Sequence, residues 1–200
     1  MEIIRQNRRT LVITVKENGE VIAKAPLFMS SKKIVEFIQE KSGWIQKQQI
    51  KLAERENITS QYDFEKYVYI NGNKYLWEDV KNQDKRMTKA SFYTKNFNNF
   101  VIIRAEQWSK LFKKAISFRL CNSRSIWGSC NASNVIKLNW KMILLPQELQ
   151  DYIIVHELCH TIQLNHSPKF WNEVGKYLPD YKKRKNDLKS YSIILREQVL

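Results

Sequence analysis

The segment QELQDYIIVHELCHTIQL, residues 147–164, constrains the chain more than any other. At helical spacing its apolar residues fall on nearly every side, whereas a surface helix carries a single apolar stripe. Such a helix sits in the middle of a domain, and Pro146 marks its start. Two hundred residues with 43% apolar and 12% aromatic content can build a core around it.

The rest of the chain reads as a mixture of short strands and helices, an α+β class. Leu11–Val15 and Val21–Ala23 form a hairpin about Lys16–Gly19, closed by Pro26. A long helix capped by Ser30 or Ser31 is expected to run to about Asn57, because Ile34, Val35, Phe37, Ile38, Ile45 and Leu52 recur at three- and four-residue spacing. Gly43 lies inside it. Tyr67–Ile70 and Lys74–Trp77 flank Asn71-Gly72-Asn73, a strong short hairpin signal. Lys81–Lys89 reads as loop, Ser91–Thr94 and Phe100–Arg104 as a third strand pair, and Glu106–Ile116 as a helix. Ser117–Leu120 and Val135–Leu138 read as strands around a loop at 125–130. Ser167-Pro168 opens a helix ending near Leu178, and a basic helix follows from Asp180. The expected division is an N-terminal β-hairpin, helix and β module over 1–104 and a catalytic core over 105–200.

The buried helix carries His156-Glu157-Leu158-Cys159-His160. Helical residues four apart lie about 40° apart around the axis and one turn on, so both imidazoles can face one ion. Glu157 is displaced by about 100° and can reach a water on that ion without ligating it. A catalytic zinc takes three protein ligands and keeps its fourth position for water. His166 is the expected third ligand. Asn165 tolerates the left-handed backbone that ends a helix, and Pro168 starts a new one. Glu173 is the rival. All three histidines of the chain fall in this segment. The chemistry implied is metal-assisted hydrolysis: zinc acidifies its water, Glu157 takes the proton, and a polarised carbonyl is attacked. Tyr177, Asn139 and Arg124 are candidate donors to the oxyanion. Cys159 reads as helix-interior filler, and Trp127, Trp140, Phe170 and Trp171 as core.

The composition narrows the setting. Cys121, Cys130 and Cys159 are odd in number with no CxxC pair, so neither a disulfide framework nor a cysteine metal cluster is expected. No apolar run reaches the roughly 20 residues of a membrane span, and the N-terminus lacks a signal-peptide pattern. A cytoplasmic protein with no membrane partner is expected. The net charge of +14 favours contact with DNA or another polyanion. Lys182-Lys183-Arg184-Lys185 is the densest basic run.

Trp127-Gly128-Ser129-Cys130, Leu138-Asn139-Trp140, Leu145-Pro146, Asp151-Tyr152, the His156–His160 run, Asn165-His166-Ser167, Phe170-Trp171 and Pro179-Asp180-Tyr181 together resemble the YgjP-like metallopeptidase family, relatives of the SprT-like proteases. The resemblance is dense from Ser117 to Leu188 and looser over the N-terminal hairpin and helix. It implies a zincin-like core, an active-site helix packed on a small sheet, with His156, His160 and His166 on zinc and Glu157 as catalyst. It also implies protein substrates associated with nucleic acid, since SprT-like relatives cut proteins on DNA. Ile126 stands where the family usually has Arg, with Arg124 two residues earlier, and the segment before Trp127 is short for the family.

A peptide or protein substrate is therefore expected. Two alternatives stand beside it: a zinc-dependent phosphoanhydride or phosphoester hydrolase, and a nucleic-acid-binding module retaining a structural zinc. An intact Glu157 speaks against the last, because a structural site has no use for a carboxylate beside an open position.

Overall fold

Three strands open the chain: β1 (Glu2–Gln6), β2 (Val12–Val15) and β3 (Val21–Pro26). The computed structural model describes residues 1–196 and Val199, with the backbone alone for Arg55 and Thr59. β2 and β3 form the expected hairpin, with Gly19 at φ 77° in its turn. β1, which the sequence reading passed over, pairs parallel to β3 and makes it the central strand. Val21, Ile22, Ala23 and Ala25 of β3 are buried accordingly.

The single long helix is in fact two, α1 (Ser31–Glu40) and α2 (Ser42–Ser60). The Ser30 side chain accepts from the Lys33 amide, the cap expected at the start. Lys41 leaves helical geometry at ψ 3°, just before Ser42-Gly43, two residues of modest or poor helix propensity.

The chain's internal contacts group as two units, Met1–Ser60 and Gln61–Leu200. The division drawn at residue 104 falls inside the second unit, because side chains flanking it bind the buried helix. Arg104 makes a two-point ion pair with Asp151, and the Trp108 indole donates to the same carboxylate at 2.9 Å.

In the second unit β4 (Tyr67–Ile70) and β5 (Asn73–Leu76) form the expected hairpin, with Asn71 at φ 53° and Gly72 at φ 81°. α3 (Trp77–Gln83) then occupies the start of the expected loop. The third strand pair does not form. Residues 89–109 are instead continuously helical: α4 (Lys89–Asn96), a π-helical stretch over Phe97–Ile102, and α5 (Ile103–Ser109). Tyr93, Phe97, Val101 and Ala105 recur every four residues, and all are at most 1% exposed. A four-residue repeat drifts one way around an α-helix and the other way around the wider π-helix, so alternating the two holds these residues on one buried face. Thr88 and Ser91 form a capping box at the start. The helix expected to reach Ile116 ends earlier, in a 3₁₀ turn over Lys110–Phe112 followed by Lys113 at φ 49°.

β6 (Ser117–Cys121), β7 (Gly128–Cys130) and β8 (Val135–Asn139) form a sheet in the order β6-β8-β7, with β8 parallel to β6 and antiparallel to β7. The buried helix is α6 (Gln147–His160), followed by α7 (Pro168–Tyr177) and α8 (Tyr181–Ser190). α6 packs on β7 and β8 from one side and on α7 and α8 from others. Leu149 through Val155, Leu158 and Cys159 are all buried, as an all-round apolar helix requires. The fold is α+β, with its central helix laid against a small sheet. Among the described residues, no helix is long and apolar enough to cross a membrane.

Candidate metal centre

The last turn of α6 presents His156 and His160 on one face, and the chain that leaves it brings His166 back. The ligand-capable nitrogens of the three rings all lie within 4.8 Å of one another. The Nε2 atoms of His156 and His166 are 3.0 Å apart. Two nitrogens on one tetrahedral zinc stand about 3.3 Å apart when each bond is 2.0–2.1 Å, so the pair is close to metal-bound spacing. α6 stops earlier than the expected turn near Asn165: it ends at His160, with Thr161 as its C-cap in right-handed geometry, and Asn165 does not adopt the left-handed backbone. α7 begins at Pro168 behind Ser167, as expected.

The surroundings fit a cation held by neutral imidazoles. Phe170, fully buried, lies 4.9, 4.5 and 4.8 Å from the rings of His156, His160 and His166, an apolar floor beneath all three. Burial, helped by the neighbouring His160, His166 and Lys185, pushes the His156 pKa down to about 3. Burial also lowers that of His160, against a hydrogen bond to Gln163 and with the help of His166. The Nδ1 of His160 meets the Gln163 carbonyl at 3.0 Å, which fixes the proton there and leaves Nε2 with its lone pair for a metal. His156 Nδ1 is buried without a partner among the described residues, a sign that the ring is placed for something other than stability. Three imidazoles without thiolate or carboxylate suit zinc among the common divalent ions. Glu173, the rival ligand, is instead ion-paired with Lys176 at 2.5 Å.

Glu157 is 6% exposed. Burial raises its pKa to about 8. Gly128 of β7 backs directly onto its side chain. The motif containing Gly128 was visible in the sequence, but its contact with Glu157 was not, since nothing local links residues 29 apart.

The candidate oxyanion donors fare differently. The Asn139 amide donates to the carbonyls of Ser123 at 2.8 Å and Ile126 at 2.9 Å, while its Oδ1 accepts from the Lys141 amide at 3.1 Å. Its donors are spent on shaping the loop before β7, which corrects the role expected of it. Tyr177 stacks on Phe112 at 4.7 Å, and no ring contact joins it to the histidines among the described residues. Arg124 is exposed on the 122–127 loop. Trp140 is core, as expected, with its indole donating to Asn122 at 3.1 Å. Trp171, expected as core, is only partly buried and stacks on His166 at 5.6 Å and on Tyr181 at 5.5 Å. Cys159 is fully buried filler, and burial pushes its thiol up to about 12.

The family description "YgjP-like, metallopeptidase domain" matches residues 9–90 and 77–191. No curated protein matches. Among solved structures, the chain is similar to the metallopeptidase zymogen of Pyrococcus abyssi abylysin, at 22% identity over 46% of this chain and 94% of that one, with a TM-score of 0.43.

Proposed function

Because this chain belongs to the YgjP-like metallopeptidase family, we propose that it cleaves peptide bonds with zinc held by His156, His160 and His166, and with Glu157 as the carboxylate that moves the proton. One observation carries the reading: three imidazoles converge beside a buried carboxylate borne on the same helix. Zinc, when bound, supplies Lewis acidity, making a water more acidic and polarising the scissile carbonyl. The rings do the holding, with Phe170 packed beneath them, and burial keeps His156 and His160 neutral and able to ligate. Glu157 accepts a proton at its carboxylate and passes it to the departing amine. Its burial raises its affinity for that proton between the two transfers.

A peptide substrate is favoured over a phosphoanhydride by the sheet. β7 is an edge strand, and its Gly128 lies against Glu157. An unpaired strand edge is a template on which extended polypeptide can add, and it offers nothing comparable to a nucleotide. The proposal extends to protein substrates carried on nucleic acid, supported by the net charge of +14 and by exposed Lys182, Lys183 and Lys189 on α8.

The deciding experiment is a substrate screen on zinc-loaded protein, casein and peptides beside a nucleotide panel, with and without DNA. Glu157→Gln is expected to keep about one zinc and lose peptide hydrolysis. Nucleotide hydrolysis without peptide cleavage would sink the peptidase reading, and unchanged turnover in the variant would remove Glu157 from its role. DNA affinity should fall steeply with salt; salt-independent binding would remove the electrostatic part.

A further inference from the structure

The wall of the site opposite Gly128 in composition is aromatic and ends in a cation. His166 and Trp171 lie 5.6 Å apart and within 24° of parallel, and Trp171 and Tyr181 lie 5.5 Å apart and within 12°. Lys185 follows Tyr181 by one helical turn, and its Nζ stands 3.8 Å from the centre of the Trp171 ring. A cation over an indole is attracted by the ring's quadrupole, which orders an otherwise floppy side chain while leaving ammonium donors unused.

Two of its neighbours in the basic run, Arg184 and Lys183, are engaged differently. Arg184 binds Asp180 through Nε at 2.9 Å and the Glu148 carbonyl at 2.9 Å. Lys183 pairs with Asp187 at 3.6 Å. Lys185 has no carboxylate partner among the described residues, although it is exposed.

We propose that Lys185 is a specificity-determining residue that binds a carboxylate of the substrate, on an Asp or Glu side chain or at a free C-terminus, close to the bond that is cut. The proposal rests on the peptidase reading and names its substrate class. The distances from Lys185 to Trp171, 3.8 Å, and from Trp171 to His166, 5.6 Å, put the ammonium at most 9.4 Å from the His166 ring centre. Extended polypeptide advances about 3.3 Å per residue, so the carboxylate belongs within a few residues of the reacting carbonyl. A site holding a dication and an unpaired ammonium, with Glu157 as its buried acid, selects for negative charge in what it binds.

Paired peptide hydroxamates test this by binding, without requiring turnover. One pair differs in Asp against Asn beside the chelating group, and a second pair in a free against an amidated C-terminus. On zinc-loaded wild-type protein, the acidic member of at least one pair is expected to bind about tenfold more tightly, as a charge-assisted hydrogen bond allows. The pair that discriminates identifies the source of the carboxylate. In Lys185→Gln the preference should vanish, and in Lys185→Glu a Lys-bearing hydroxamate should become the better ligand, with zinc content unchanged in both. Equal affinities within both pairs on the wild type, or the same preference in Lys185→Gln, would overturn the assignment. The two readings fail separately. Discrimination that depends on Lys185, with no peptide ever cleaved, rejects the peptidase reading alone. Cleavage without discrimination rejects the role of Lys185 alone.

Discussion

Gly128 leaves no room for a side chain against Glu157: a Cβ built on it would stand 2.8 Å from Glu157 Cγ and 3.0 Å from Oε1. The obstructed atoms belong to a buried side chain, so relief requires moving the carboxylate that the proposed chemistry uses. Gly128→Ala is therefore expected to keep zinc while losing about a hundredfold in kcat, since small misplacements of a reacting group are costly. Peptide turnover and zinc stoichiometry measured on the same sample check this. Wild-type turnover would mean that Glu157 has more freedom than its packing indicates.

Protons should leave when zinc binds. In the metal-free protein His156, with a pKa lowered to about 3, is already neutral at pH 7 and has no proton to give. Glu157, raised to about 8, is mostly protonated there. A nearby dication favours the ionised carboxylate, so zinc addition at pH 7 should expel about one proton from Glu157. The release should shrink as pH rises past 8, where the carboxyl is already ionised, and should be near zero in Glu157→Gln. Calorimetry in two buffers of different ionisation heat reads it directly. Equal release by wild type and variant would place the proton elsewhere.

His166 is the exposed member of the triad and depends on its neighbours for orientation. Trp171 stacks on it from outside the triad and helps to limit its rotation. Trp171→Ala should weaken zinc binding roughly tenfold, the usual cost of losing a group that orients a ligand, and Trp171→Phe should restore most of it. Competition with a chromophoric chelator measures both. Unaltered affinity in the alanine variant would show that the turn alone positions His166.

Asp151, 6% exposed, accepts from Arg104 and from the Trp108 indole. Asp151→Asn would leave a part-buried guanidinium without its counter-charge, and such breaks cost about 3–5 kcal/mol when fully buried. Arg104 keeps 32% side-chain exposure, so about 2 kcal/mol is the expected loss in urea unfolding. A change below about 0.5 kcal/mol would show the pair to be solvent-screened.

The histidine-bearing helix could be read from sequence because its evidence is local: a motif of rare residues at helical spacing, set in an apolar run, with a proline after it; its end at His160 falls short of the turn signal at Asn165. Residues 89–109 could not. Phe92, Tyr93, Phe97, Val101 and Ile102 are types that favour strands, and tertiary packing on a mixed π and α path overrides that preference. β1 was equally hidden, since EIIRQ carries little alternation and its pairing with β3 is non-local. Asn139 misled for a related reason. An amide near a metal site can donate to substrate or to its own loop, and only coordinates reveal which carbonyls it has met.

The carbonyl that meets His160 belongs to Gln163, three residues on and just past the end of α6. Where that helix stops and which imidazole nitrogen is available are thus one decision. Another turn of helix would draw the carbonyl into the backbone ladder and leave Nδ1 to seek another acceptor. Substitutions that lengthen α6 would then alter the affinity of the centre without touching any of its ligands.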